Sequence, residues 1–259
     1  MKYEKLIVEK KTDFVAEITL NRPEHLNTFD SIMAGELYDA LITLDAAPDV
    51  RVMVVKGAGK AFCAGIDVNE LAGKTAIEYQ RWIERMERPL LAISNLKKPV
   101  IAQVQGVAAA NGMGLVAAAD LAVAAENARM GLTAINVGLN CVGPVIPVAK
   151  SVGRKKALEL LLYGNLIKAP EALSFGLINR IVPKDELDAE VSKWAATLAQ
   201  KSPLAVQIAK SAFYTSEDLP YEKQFDYMNE AFARLCTTED AKEGIKAFFE
   251  KRMPDWKEK

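Results

Sequence analysis

Between Lys98 and Glu126 the chain reads KPVIAQVQGVAAANGMGLVAAADLAVAAE, and this stretch limits the possible folds more than any other. The β-branched run Val100 to Val104 predicts a short buried strand ending at Gly106, and small residues then lead into an apolar stretch spaced like a buried helix. The first amides of a helix have no partner within it, and the helix dipole places partial positive charge there. Backbone N–H groups around Ala110, Asn111 and Gly112 can therefore hold an anion or a polarised carbonyl, and small side chains leave a ligand room to approach. Close packing of a helix on a sheet would account for the same alanines and glycines, so this segment alone leaves both open.

A second segment, VMVVKGAGKAFCAGIDVNEL from Val52 to Leu71, has the same character. Val52 to Val55 predict a buried strand, and Gly57, Gly59 and Gly65 punctuate an irregular loop before another helical run. Two donor-rich turns that each follow a strand can converge on one oxygen from two sides. Donors fixed where negative charge develops form an oxyanion hole, which stabilises that charge without reorganising during the reaction.

Composition removes several other classes of function. With 33 basic against 34 acidic residues the net charge is -1, so no overall field draws nucleic acid or anionic lipid, and an anionic ligand must be held by local groups. Cys63, Cys141 and Cys236 lie far apart without CxxC spacing, which suggests neither a disulfide framework nor a zinc site and points to a reducing cytoplasm. The N-terminal MKYEKLIVEKKTD lacks the apolar core of a signal peptide, and the apolar stretch after Val100 is interrupted by Gln, Gly and Asn, so no membrane span is expected. A Ser-His-Asp triad, a histidine metal site or a histidine base would all have to use His25, the one histidine, which sits in the turn RPEHLN.

Read in order, Leu6–Glu9 and Val15–Leu20 alternate as an edge hairpin around Lys10–Asp13, and Asn21-Arg22-Pro23 ends it. Asp30 or Thr28 caps a helix to about Asp45; a second helical pattern spans Thr75 to Asn95, where Pro89 is expected to kink or divide it. Leu121–Ala124 reads as a strand, Met130–Gly143 as irregular backbone of the kind on which sites are built, and Pro147–Tyr163 as one helix. A short helix at Pro170–Ser174 and a strand at Leu177–Val182 precede four helices, near 185–201, 203–215, 220–236 and 238–251. The shift at Pro183 from alternating strands and helices to helices alone divides the chain into 1–183 and 184–259.

Five segments then stand in one order: NRPEHLN, KAFCAGIDVNEL, KPVIAQVQGVAAANGMGLVAAADLAVA, GNLIKAPEALSFGLINRIVP and EGIKAFFEKRMPDW. By them the chain resembles the enoyl-CoA hydratase/isomerase (crotonase) superfamily from about Tyr3 to Trp256. The resemblance implies an α/β fold, a crotonase-like spiral of ββα turns in two roughly perpendicular sheets, with a C-terminal helical trimerisation region and a homotrimer or dimer of trimers. It also implies an acyl-CoA substrate, coenzyme A entering as part of the thioester with no permanently bound cofactor. By the same resemblance the hole's donors fall on the amides of Ile66 and of Asn111, where the family has Gly, so that the register can also pass to Gly112. His25, Leu26, Ala64, Asp67 and Val68 match positions lining the CoA and pantetheine track, and Phe248 and Lys251 match C-terminal positions near the nucleotide.

The hydratases of that family use two glutamates, at places that here hold Gly114 and Ala134, and neither can move a proton. Other groups must then act: Asn136, Asn140 or Cys141 in the irregular segment, Asp67 beside the first donor, or Glu84 and Glu87 on the helix after Thr75. The expected activity is a non-standard hydratase, isomerase, decarboxylase or hydrolase working through a thioester enolate; the alternative is a catalytically silent acyl-CoA binding protein. Gly112 to Ala117, GMGLVA, also fits the dinucleotide fingerprint GxGxxA, but no acidic residue ends a following strand at the expected distance.

Overall fold

The structure is a computed structural model that describes residues 2–11 and 13–259, so Thr12, within the expected connection of the first hairpin, lies outside the described residues. Two strands open the chain, β1 (Leu6–Lys10) and β2 (Val15–Leu20), paired antiparallel with Leu6 opposite Leu20. Helix α1 (Ser31–Ala46) follows, capped by the Asp30 carboxylate, which accepts a hydrogen bond from the Met33 amide at 2.7 Å. Next come β3 (Val52–Gly57), α2 (Ala76–Asn95), β4 (Val100–Val104), β5 (Val107–Ala109), α3 (Asn111–Ala118), β6 (Leu121–Ala125) and β7 (Arg129–Gly131). The chain continues through α4 (Val145–Val152), α5 (Arg154–Tyr163), β8 (Ile167–Lys168), α6 (Ala169–Ser174) and β9 (Arg180–Val182). It ends in α7 (Leu187–Ala199), α8 (Pro203–Ser216), α9 (Tyr221–Cys236) and α10 (Glu239–Glu250).

A six-stranded sheet runs in the order β1-β2-β3-β4-β6-β9, parallel from β2 onward, with Val15 opposite Val52, Met53 opposite Val100 and Ile101 opposite Leu121. Its inner strands are apolar on both faces because both are covered. Residues such as Ile18, Met53, Val55 and Ala102 enter the main core with α1, α2 and α3, while Val52, Val54, Ile101 and Val123 pack against Val191 and Ala195 of α7. Helix α7 thus joins the C-terminal helices to the sheet. A smaller sheet, β5-β7-β8, lies beside α3 and sets its entry.

Four expectations are corrected. Of the two outcomes expected at Pro89, a kink or a division, division does not occur, since α2 runs unbroken through it and the buried stripe Trp82, Met86, Leu90 and Ile93 holds the helix against the core. The pattern read as one helix over Pro147–Tyr163 is two, α4 and α5, separated at Gly153, whose φ of 77° and ψ of 161° a residue with a Cβ rarely adopts. Only Arg180–Val182 of the expected strand at Leu177–Val182 pairs, because Leu177 and Ile178 turn into the core instead. Val107–Ala109, read as a lead-in to the helix, forms β5, three residues being too few to show a period.

Candidate active site

The RPEHLN turn is held by two buried side chains. Arg22 donates to the Thr28 carbonyl at 2.7 Å and to Asp67 at 2.9 Å, and Asn27 donates to the carbonyls of Ala58 and Ala61, both at 2.9 Å. Residues 26–29 thereby run beside residues 64–67: the Ala64 amide donates to Leu26, the Phe29 amide to Gly65 and the Asp67 amide to Phe29, at 2.7 to 3.0 Å. This lacing brings His25, Leu26, Ala64, Asp67 and Val68 into one neighbourhood, with His25 and Val68 exposed and the others partly buried. The Ile66 amide, in the middle of the ladder, donates to no group among the described residues.

The other side of the site is built from β5 and α3. Phe62 and Cys63 amides donate to the Val107 carbonyl at 3.1 Å, and the Ala109 amide donates to Cys63 at 2.9 Å, so the 62–66 loop lies along the strand that leads into α3. At Gly65 a Cβ would stand 3.0 Å from the Ala110 Cβ, and at Gly112 it would stand 2.9 Å from the Cys63 carbonyl carbon and closer still to its oxygen. Backbone meets backbone here, and only glycine permits the approach. The first helical bond of α3 runs from the Gly114 amide to the Ala110 carbonyl at 2.9 Å, which leaves the amides at the start of the helix without an intrahelical acceptor.

Ala110 precedes α3 with φ 50° and ψ -116°, a region that alanine avoids, and its amide is fixed to the Gly131 carbonyl at 2.8 Å. The demanding dihedral falls on Ala110, one residue before Asn111, which already belongs to the helix. Asn111 is the first residue of α3, is 2% exposed, and turns its side-chain amide toward the Met86 carbonyl of α2 at 3.4 Å. The GxGxxA pattern lies inside α3 rather than in the preceding turn, so its glycines serve helix packing.

Most ionisable groups nearby are occupied by structure. The Arg22 guanidinium holds the Asp67 carboxyl below its usual range, and Asp67 also accepts from the Asn69 amide at 3.1 Å. Glu70 accepts from Trp82 Nε1 at 2.7 Å and from the Ser31 hydroxyl at 2.7 Å. Glu84 is exposed and accepts from Gln80 at 3.0 Å. Burial pushes the Cys63 thiol up to about 12 and raises that of Cys141 as well, so both are neutral thiols near pH 7. Asn140 is exposed and accepts from the Cys141 amide at 2.8 Å; Asn136, also exposed, donates to the Gly164 carbonyl at 3.0 Å. Glu87, half-buried on α2, differs from all of these. Its Oε1 is sealed from solvent without a hydrogen-bond partner among the described residues, and burial raises its pKa.

Phe248 and Lys251 sit elsewhere, on and just after α10, which packs on α8 and α9. Phe248 is 79% exposed, and Phe225, Phe232 and Phe249 of the same helical layer are also exposed, leaving a broad apolar face. Helix α8 is tied back to the core by Lys210, which donates to Asp120 at 2.7 Å, while Tyr214 donates to the other Asp120 oxygen at 2.9 Å. Among the described residues no group of acidic, histidine and cysteine side chains could hold a metal ion, and no helix is long and apolar enough to cross a membrane.

A family model described as enoyl-CoA hydratase/isomerase matches residues 10–259. An (E)-benzylidenesuccinyl-CoA hydratase from Thauera aromatica is 34% identical over 245 residues, 94% of this chain and 95% of that protein. The rat mitochondrial enoyl-CoA hydratase domain-containing protein 3 is 32% identical over 97% of this chain and 84% of its own length. The crystal structure of an enoyl-CoA hydratase from Mycobacterium smegmatis superimposes with a TM-score of 0.94 at 37% identity, covering 98% of this chain and 99% of that one. The architecture described above is thus the crotonase-like fold that the five motifs imply.

Proposed function

The chain belongs to the enoyl-CoA hydratase/isomerase family, and from that premise we propose that it binds an acyl-CoA thioester and stabilises the enolate of its acyl group. The observation that carries this is the pairing of the unengaged Ile66 amide with the open N-terminus of α3 at Asn111, on two segments laced together through Cys63 and β5. A thioester oxygen seated between them accepts two backbone hydrogen bonds, which strengthen as negative charge moves onto it. Removal of one such donor costs about 3 kcal/mol in the transition state, so the pair alone supplies substantial catalysis.

His25, Leu26, Ala64, Asp67 and Val68 then line the pantetheine arm, with Asp67 in a positioning role because Arg22 keeps it ionised and engaged. Phe248 and Lys251 would approach the nucleotide, and the apolar face of α9 and α10 supports assembly as a homotrimer or a dimer of trimers. With Gly114 and Ala134 at the places that the resemblance gives to the family's two glutamates, the reaction on this reading is a hydration, isomerisation, decarboxylation or hydrolysis run by other groups. The same two residues favour the second reading, an acyl-CoA binding protein without turnover.

The test uses crotonyl-CoA carrying ¹³C at the thioester carbonyl. Calorimetry is expected to show saturable binding, and the carbonyl resonance is expected to move downfield as the amides polarise it. Absence of binding by crotonyl-CoA, butyryl-CoA and malonyl-CoA alike overturns the proposal; binding with an unshifted carbonyl overturns the oxyanion hole.

A further inference from the structure

We infer that Glu87 is the proton-transferring group of this site, taking the place of a carboxylate on α3. This rests on the acyl-CoA reading above and adds to it the residue that does the chemistry. The place that a side chain on residue 114 would occupy is closed: a Cβ there would stand 2.7 Å from Leu90 Cδ2 and 2.8 Å from Pro144 Cβ. Leu90 belongs to α2, and Glu87 lies one helical turn before it, on the side of α2 that meets the same loop. The Glu87 carboxylate rests on Gly143, where a Cβ would come within 2.5 Å of Oε2 and nearer to Oε1. Gly143 is therefore the cradle that admits the carboxylate.

The level of Glu87 along α2 is fixed by its neighbours. Asn111 reaches the carbonyl of Met86, the adjacent residue, and Leu90 faces Gly114. Glu87 is thus level with the first turn of α3, the end whose amides face the thioester. A buried carboxylate oxygen without a partner is costly, and folds keep one where it has something to bind or to accept. Asp67 and Glu70 are saturated with donors and Glu84 faces water, so among these carboxylates Glu87 alone has an oxygen that is both shielded from water and free of a donor.

In the step itself Glu87 Oε1 takes a proton from the carbon next to the thioester carbonyl. The C–H electron pair becomes the C=C bond of the enolate, and the carbonyl π pair moves onto the oxygen held by the Ile66 and α3 amides. The half-buried carboxyl swaps that proton with solvent through Oε2, and return of a proton to the carbon reverses the step, so no other reactant is consumed.

The experiment follows exchange of the α-protons of butyryl-CoA in D₂O by NMR, with ¹³C-carbonyl crotonyl-CoA binding measured on the same variants. Glu87→Gln is expected to slow exchange about 100-fold or more, the scale of general acid–base catalysis, while retaining binding and the downfield carbonyl shift. Glu84→Gln, exposed on the same helix, is expected to exchange at the wild-type rate. Gly143→Ala should also slow exchange, by displacing the carboxylate. Exchange by Glu87→Gln at the wild-type rate, or wild-type binding and carbonyl shift without any exchange, overturns the role of Glu87 and leaves the acyl-CoA reading standing. Loss of all acyl-CoA binding by the wild type overturns both.

Discussion

Replacing Gly112 with alanine tests whether the first turn of α3 and the 62–66 loop form one oxyanion hole. A Cβ at this position would stand 2.9 Å from the Cys63 carbonyl carbon and 3.0 Å from the Cys63 Cβ, where ordinary contact is 3.4–4 Å. The Cys63 carbonyl oxygen would be closer still, so the two segments must separate by about 1 Å or more, since backbone lies on both sides and no flexible side chain can yield. A displacement of that size at a positioned group costs about 100-fold in rate, and loss of one oxyanion donor costs about 3 kcal/mol, which is the same scale. Crowding a packed site also costs about 1–3 kcal/mol of stability, or roughly 2–10 °C in Tm for a chain of this size. Exchange of butyryl-CoA α-protons should fall about 100-fold, and the carbonyl shift of bound ¹³C-crotonyl-CoA should shrink, with calorimetric binding weakened far less. Wild-type exchange and an undiminished carbonyl shift in Gly112→Ala, with Tm unchanged, would refute the placement of these amides.

Gly114→Glu, which puts a carboxylate at the family's usual position, should lower Tm and not raise exchange, because Leu90 and Pro144 fill the space; a stable variant with faster exchange would show that the space opens. The pH dependence of exchange should follow Glu87. Its pKa is raised by burial, α3 carries no titratable side chain, and Cys141, the only one in the 139–145 loop, is neutral; on α2 itself Arg88 stacks over Tyr38 at 5.0 Å and Glu84 faces solvent. Exchange should therefore rise with pH through an apparent pKa above the ordinary carboxylate range, and Glu87→Gln should flatten that profile. The same shift acts on stability: the native state holds this proton more tightly than the unfolded chain, so stability falls as pH rises from the ordinary carboxylate pKa through the raised one. Glu87→Gln should accordingly be the more stable protein at pH 7 and lose that advantage in acid, as read by thermal melts. Lys210→Met leaves Asp120 without its buried cation and should cost about 3 kcal/mol in urea unfolding, although Tyr214 and the Val100 amide still bond it; a change within 0.5 kcal/mol would remove the pair from the account of how α8 is anchored.

Much of the fold, and the close backbone approach beside the candidate site, could be read from the chain because both rest on local chemistry. The Val-rich runs at 52–55 and 100–104 read as buried strands and are, Asp30 was one of two candidate caps for α1 and is the one used, and the helical pattern from Thr75 marked the start of α2. The glycines at 65 and 112 marked two places where backbone must come close, and the two segments do meet. What could not be read depends on who stands opposite. Nothing local distinguishes Glu87 from Glu84, two acidic residues on one helix; the difference is that Gly143, distant in sequence, leaves a recess for one while the other meets water. Ala110 was likewise invisible, because its strain is imposed by the Gly131 carbonyl and by the entry angle of α3, not by its neighbours in sequence. The chain by itself determined most of the strands and helices and the glycines at which backbone comes close to backbone, since hydrogen bonding and apolar period are properties of short segments. Only tertiary packing decided which carboxylate loses its water, because desolvation depends on every element that closes over a group.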